Sequence, residues 1–394
     1  MPSSRAQKSF VKAMFKATRL TGVGKLMDAT RLIQRSLFGA ELPAAQRTVT
    51  SVRPIAKPAP FHAANDPQVE SVPPSVIIPP APSAYQPPPP VTPPGHLCSR
   101  PATFTKHAFI FEGSNYPYRL YIPAATGDAV DKLMPLVVLL HGCKQDALDF
   151  ANGTAMNTLA GKHNTMVLYP EQTTSGNAMR CWNWFDPSHQ QAGRGEPGMI
   201  AALTQKIIGH HNADPARIYV AGLSAGGAMA AVVAGLYPDL FAAVGVHSGL
   251  AAGAAQDVMS AFSAMRSGAR GHKTTALPTI VFHGTADTTV NPDNSEFITD
   301  AALAALKASG LSLVKTKSKI ESSSVPGNPE HTERTVYSNA NGTPFVESWI
   351  VKAGPHAWSG GSAQGSYTDP DGPDASAAML AFFLRHAKGL AHTS

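Results

Sequence analysis

Between residues 134 and 354, short apolar, β-branched runs alternate with helix-length segments, and this alternation narrows the fold more than any other feature. The runs are "MPLVVLLHG" (134–142), "TMVLYPE" (165–171), "ARIYVAGLS" (216–224), "FAAVGVHSG" (241–249), "PTIVFHGTAD" (278–287) and "FVESWIVKAG" (345–354). They do not alternate apolar with polar residues, so both faces of the strands they predict must be covered. Strands of that kind, separated by helices, build an α/β architecture: a mostly parallel central sheet with helices on both faces. Ahead of them, "TFTKHAFIFEG" and "YPYRLYIPA" read as an antiparallel opening pair. At 43% hydrophobic residues, the chain can bury one large core.

One of these runs ends in chemistry. "ARIYVAGLS" leads into Gly222-Leu223-Ser224-Ala225-Gly226, and "AGGAMAAVVAGLY" (225–237), rich in small residues, reads as the helix that follows. Strand, tight turn and helix form the setting of a nucleophile elbow, where a serine is held in a strained backbone conformation at the sheet edge. The two glycines fit, because side chains two positions either side of the serine would collide with strand and helix. Ser224 is therefore the expected nucleophile. A serine hydroxyl needs a histidine to take its proton, and that histidine needs an orienting carboxylate. Asp287 follows a strand in "PTIVFHGTADTTV", whereas Asp293 and Asp300 fall in or near the next helix. His356 lies in a Gly/Pro loop of "ESWIVKAGPHAWSGG", after the last strand. His331 reads as part of a polar loop with no strand before it, and His386 as part of the terminal helix "AAMLAFFLRHAKG". The order Ser224, Asp287, His356 at strand ends is that of the α/β-hydrolases. The charge developing on an attacked carbonyl needs two backbone N–H donors. Ala225, after the nucleophile, is expected to supply one, and Cys143, in the "HGCKQDA" loop after the third strand, the other.

These residues belong to a spaced set: "LLHGCKQDA", "CWNWF", "GEPGMIAAL", "GLSAGGAMA", "HGTADTTV" and "GPHAWSGG", in that order. With them the chain resembles the poly(3-hydroxybutyrate) depolymerase/esterase family of α/β-hydrolases, over roughly residues 100 to 390. The resemblance implies Ser224 as nucleophile, Asp287 as acid, His356 as base, and an oxyanion hole at the Cys143 and Ala225 amides. It implies a serine esterase acting on poly(3-hydroxybutyrate) or its oligomers, with no cofactor and no metal. Feruloyl and acetyl-xylan esterases share similar motifs and form the alternative among enzymes. A granule-surface protein that keeps the fold but does no chemistry is the alternative of another class. Secreted members pair cysteines matching Cys143 and Cys181; a disulfide here stays open, because a cytoplasmic setting disfavours a lasting bond. Trp182 and Trp184 of "CWNWF", with Trp358 beside His356, are candidates for an apolar wall against the acyl chain, packing in the core being their other role.

The formal net charge of +6 is unevenly placed: residues 1–60 carry eleven Lys/Arg against Asp28 and Glu41. Two amphipathic helices are expected over 8–38, around "TGVG", with Phe10/Met14 and Val11/Phe15 opposite Lys8, Lys12, Lys16 and Arg19. The organisation is then a basic helical segment (1–48), a Pro-rich, disordered or semi-rigid linker (49–100) and the hydrolase domain (101–394). Fifteen of the 34 prolines, between 51 and 100, define that linker. The stretch "KAMFKATRLTGVGKLMDATRLIQRSL" resembles the leader of intracellular bacterial members. Basic amphipathic helices adsorb to apolar surfaces, so residues 1–40 are a candidate tether to a polyester granule. No nucleic-acid-binding motif accompanies the charge, and nucleic acid is not an expected partner. No apolar run approaches the roughly 20 residues of a transmembrane segment, and no secretory h-region is seen. The expected location is the cytoplasm, on or near granules, with the extracellular space of secreted relatives as the alternative. No polymer-binding domain is expected after residue 390, which points to amorphous granules, oligomers or small esters. Cys98, Cys143 and Cys181, with no C-x-x-C, suggest neither a disulfide scaffold nor a metal site.

Overall fold

The computed structural model describes residues 99–272, 276–321 and 331–389. The helices expected over 8–38, the linker as far as Cys98, and Cys98 itself lie outside the described residues. The last two linker positions, Ser99–Arg100, instead pair antiparallel with Ala125–Thr126 and belong to the folded body.

Among the described residues the main sheet has ten strands: β1 (Thr103–Phe111), β2 (Ser114–Ile122), β3 (Met134–Leu140), β4 (Met166–Pro170), β5 (Ala213–Leu223), β6 (Ala243–His247), β7 (Thr279–Gly284), β8 (Val314–Glu321), β9 (His331–Ser338) and β10 (Pro344–Val351). Their order across the sheet is β8-β9-β10-β7-β6-β5-β3-β4-β2-β1. The six strands from β10 to β4 are mutually parallel, and an antiparallel pair flanks them on each side. This is an α/β-hydrolase sheet, as the apolar runs require.

The period-2 geometry of a strand explains why those runs are apolar on both faces, β3 most plainly. In β3, Leu136, Val138 and Leu140 point into one core, shared with helices α3 (Gly195–His210) and α4 (Ala225–Leu236). Val137 and Leu139 point into the other, with α1 (Ala147–Thr154), α2 (Met156–Lys162) and α7 (Ala375–Phe383). All five are sealed from solvent, each such side chain worth about 1.5–3 kcal/mol. Helices α5 (Val258–Ser267) and α6 (Asp293–Ala308) complete the first side. Asp146, Asp257 and Asp374 cap α1, α5 and α7 by accepting backbone N–H groups that a helix start leaves free.

Two sequence expectations change here. His331 opens β9 rather than lying in a polar loop, and it pairs in register with Glu321 of β8. The reason is the edge position: β8 reads VKTKSKIE, with no apolar run, because an outermost strand needs polar and charged residues to resist pairing with other chains. His386 lies beyond the end of α7, which stops at Phe383.

Candidate active site

Ser224 stands between β5 and α4 with φ 57° and ψ −120°, a conformation that L-residues adopt only under constraint. The constraint is visible in its neighbours. A Cβ on Gly222 would overlap the backbone of Gly226, and one on Gly226 would overlap the carbonyl oxygens of Leu140 and His141. Elbow and oxyanion-side loop thus pack backbone against backbone, at a closeness only glycine permits. The Ser224 N–H donates to the His247 carbonyl, 2.9 Å away on β6.

The acid and base arrive on two loops laced together. Thr285 N donates to Val351 O, Ala286 N to Gly354 O, and Ala353 N to Thr285 Oγ1. Across this seam His356 Nδ1 lies 2.7 Å from Asp287 Oδ2, and His356 Nε2 lies 2.9 Å from Ser224 Oγ. The structure therefore brings Ser224, His356 and Asp287 into one hydrogen-bonded line. Asp287 Oδ1 also accepts the N–H groups of Thr289 and Val290. Burial alone would raise this carboxyl. The hydrogen bonds from His283 and His356, the nearby His356 charge and the Val290 N–H outweigh it and hold Asp287 far below the usual carboxylate range. An anion so held orients an imidazole and stabilises its protonated form. Asp300 instead pairs with Arg270, at 3.2 Å, and Asp293 begins α6.

The loop carrying Cys143 is braced from several sides. Gly142 N donates to Gln145 Oε1, while Gln145 Nε2 reaches Asp149 Oδ2 and Ser366 O. His141 Nδ1 is 2.8 Å from Gly142 O, and its Nε2 accepts the Gln172 N–H at 3.0 Å. Cys143 is joined to Cys181 in a disulfide, closing a 38-residue separation. Beneath that link Glu196, buried in the first turn of α3, accepts from Asn183 N, Asn183 Nδ2 and Gln172 Nε2. Burial pushes the Glu196 carboxyl up, against the pull of His189 and these donors. The Ala225 N–H opens α4 and has no intrahelical acceptor. It lies at the positive end of the helix dipole, a suitable place for an oxyanion.

The tryptophans are not where a cleft wall requires them. Trp182 and Trp358 are sealed in the core and Trp184 is 4% exposed. Trp182 Nε1 donates to His141 O, and Trp358 Nε1 donates to Ser376 Oγ. Because the indole N–H groups of Trp182 and Trp358 find partners inside, those two rings are buried outright and offer no face to an acyl chain.

Three histidines not expected from the sequence support the site: His141 just after β3, His247 at the end of β6 and His283 near the end of β7. All are buried. The signal was present, since "LLHG", "VGVHSG" and "VFHG" each place a histidine at the carboxyl end of a parallel strand. His247 accepts the Ser359 N–H at Nε2, 3.0 Å away, and stacks between Phe282 and Trp358. Burial lowers His141 to about 4, and burial together with the charges of His283 and His356 lowers His247 to about 3. In the unfolded chain both would titrate at the ordinary histidine value. The unfolded state thus binds more protons in acid, and stability intact above about pH 6.5 falls as pH drops toward 4. Each histidine is expected to cost up to about 1.4 kcal/mol per pH unit in that window. Denaturant unfolding at pH 7, 6 and 5 checks this; a flat midpoint would contradict it.

Among the described residues no group of three His, Cys, Asp or Glu side chains is gathered to hold a metal ion. Nor is any helix among them long and apolar enough to cross a membrane.

Comparison with known proteins places this geometry in context. The model of a family described as "Esterase PHB depolymerase" matches residues 116–311. Poly(3-hydroxyalkanoate) depolymerase C of Paucimonas lemoignei is 32% identical over 232 residues, covering 55% of this chain and 53% of that protein. Feruloyl esterase B of Thermothelomyces thermophilus is 30% identical over 204 residues, covering 46% of this chain and 68% of that protein. The chain thus spans about half the length of the depolymerase it matches. Among solved structures, an acetyl xylan esterase from Aspergillus awamori superposes with a TM-score of 0.52 at 19% identity, over 72% of this chain and 99% of that one. At that identity the likeness is one of fold.

Proposed function

The chain belongs to the esterase PHB depolymerase family, and from that premise we propose that it is a serine esterase hydrolysing the ester bonds of poly(3-hydroxybutyrate) or its oligomers. The observation that carries the reading is the continuous line from Ser224 Oγ through His356 to Asp287 Oδ2. In this reading His356 Nε2 takes the hydroxyl proton as Ser224 attacks the ester carbonyl. Asp287 fixes the tautomer by accepting from Nδ1 and balances the imidazolium that forms. The oxyanion accepts from the Ala225 and Cys143 amides, each worth about 3 kcal/mol by the cost of deleting comparable donors. His356 then returns the proton to the leaving alkoxide, and water, activated by the same histidine, releases the acyl group from Ser224.

A tether to granules through residues 1–40 and a cytoplasmic location form part of the proposal, resting on the basic amphipathic pattern of that segment. The Cys143–Cys181 bond weighs toward the extracellular alternative, since disulfides persist in oxidising surroundings. Feruloyl or acetyl-xylan ester hydrolysis is the second reading, favoured by the likeness to feruloyl esterase B.

Release of 3-hydroxybutyrate from amorphous granules, run beside methyl ferulate and acetylated xylan, separates the two. Soluble hydroxyacid from granules is the expected result. Hydrolysis of ferulate or acetyl esters with granules untouched would replace the substrate and keep the chemistry.

A further inference from the structure

We propose that His283 is a positioning residue for the reaction: its Nε2–H holds Oδ2 of Asp287 in line with His356, so that the acid of the triad is shared between two histidines. The proposal rests on the triad reading above.

His283 lies on β7, four residues before Asp287, and its side chain is fully buried. Its Nε2 is 3.2 Å from Asp287 Oδ2 and 3.0 Å from Val290 O. Both of these are acceptors, so Nε2 carries the hydrogen, with Val290 O the nearer acceptor and Asp287 Oδ2 the second. The other ring nitrogen, Nδ1, has no partner among the described residues. An unpaired buried nitrogen is unfavourable, and an apolar side chain of similar shape would avoid it. Core packing does not account for a histidine here; what compensates must lie on the Nε2 side.

There the donor completes a set. Asp287 Oδ1 is fixed by the Thr289 and Val290 amides, at 2.9 and 2.8 Å. Two hydrogen bonds at one oxygen still let the carboxylate rock within their tolerance in length and angle. A second contact, at Oδ2, narrows that rocking on the side where His356 makes its own bond at 2.7 Å. The ionisable groups surrounding His283 are Asp287, His356 and His247, the last stacked on Phe282 from the adjacent strand β6.

The test compares two amides in the space the ring leaves. His283→Gln can place an N–H near the Nε2 position, whereas His283→Asn places its N–H near Nδ1, short of Asp287. Hydrolysis of p-nitrophenyl butyrate is followed from pH 5 to 9, with thermal melting in parallel. In H283N, kcat is expected to fall about 10- to 100-fold with KM within about twofold. The acid limb of its pH profile should move to higher pH, because carboxylate charge no longer shared with His283 stabilises the His356 imidazolium more strongly. H283Q should recover most of the lost kcat and bring the limb back. Equal displacement in the two variants, or a wild-type profile in H283N, overturns the proposal. Should H283N not fold, His283→Met takes its place as the donor-free variant and must show the same limb shift. Ser224→Ala is the control: if it keeps hydrolysis the triad reading falls, and if it abolishes hydrolysis while H283N behaves as wild type, only the role of His283 falls.

Discussion

Replacing Ser224 with alanine is expected to lower kcat for p-nitrophenyl butyrate by about 10⁶-fold while leaving the melting temperature nearly unchanged. The hydroxyl is both the attacking group and the proton source that His356 Nε2 faces at 2.9 Å. Alanine removes both. It does not relieve or worsen the backbone strain at φ 57°, because Ser and Ala meet the same clash with the backbone there. The Ser224 N–H bond to His247 O is also kept. Active-site titration with a fluorophosphonate, alongside steady-state kinetics, checks the assignment. Activity above about 1% of wild type would mean that another group performs the attack, since general-base and oxyanion contributions alone give far less. A variant that kept its full effect in cells without hydrolysis would favour the non-catalytic granule protein.

Asp287→Asn should follow, with kcat lowered about 10⁴-fold and the fold retained. Asp287 accepts at both oxygens: two amides at Oδ1, and His356 with His283 at Oδ2. An asparagine has one acceptor oxygen and one NH₂. Turning the NH₂ toward Oδ1 would set it against two fixed amide N–H groups, so it must face His356, with His283 left donating to Val290 O alone. The imidazole then has to accept at Nδ1 and carry its hydrogen on Nε2, which donates to Ser224 instead of taking its proton. The loss should appear in kcat at every pH from 6 to 9, with KM within about threefold. A pH-dependent recovery at alkaline pH would show that tautomer control is not what Asp287 supplies.

How much of this was legible in the sequence depended on burial. Strands β3, β4, β5, β6, β7 and β10 stood out because both faces are covered, which favours apolar residues on both sides. The outer strands β8 and β9 were invisible to the same test, since one is an edge bearing Lys315 and Lys317, the latter paired with Glu333 of its neighbour. Ser224, Asp287 and His356 were separable from rivals by position relative to strand ends. Asp293 and Asp300 fall on α6, and His386 lies past α7. The tryptophans misled, because an aromatic-rich segment next to a site looks the same whether its rings face a ligand or the core. Only three-dimensional packing shows the indole of Trp182 donating to His141 O. The pairing of Cys143 with Cys181, left open by the resemblance, was decided by the loop geometry that brings positions 38 apart together. The supporting histidines were visible as letters, but their tautomers are set by partners on other elements.

His247 holds the nucleophile by its carbonyl oxygen and the loop of the base by its ring, through Ser224 N and Ser359 N. Ser224 and Ser359, far apart in the chain, are thereby clasped by one residue. Mutations on either side of that clasp will not combine additively, because whatever displaces Ser224 also displaces the loop that carries His356. For a lineage exploring new esters, the centre therefore behaves as a single inherited block. Room for divergence lies in the segments that make no bond to it. New specificities would have to be written there, one loop at a time, around chemistry that is passed on whole.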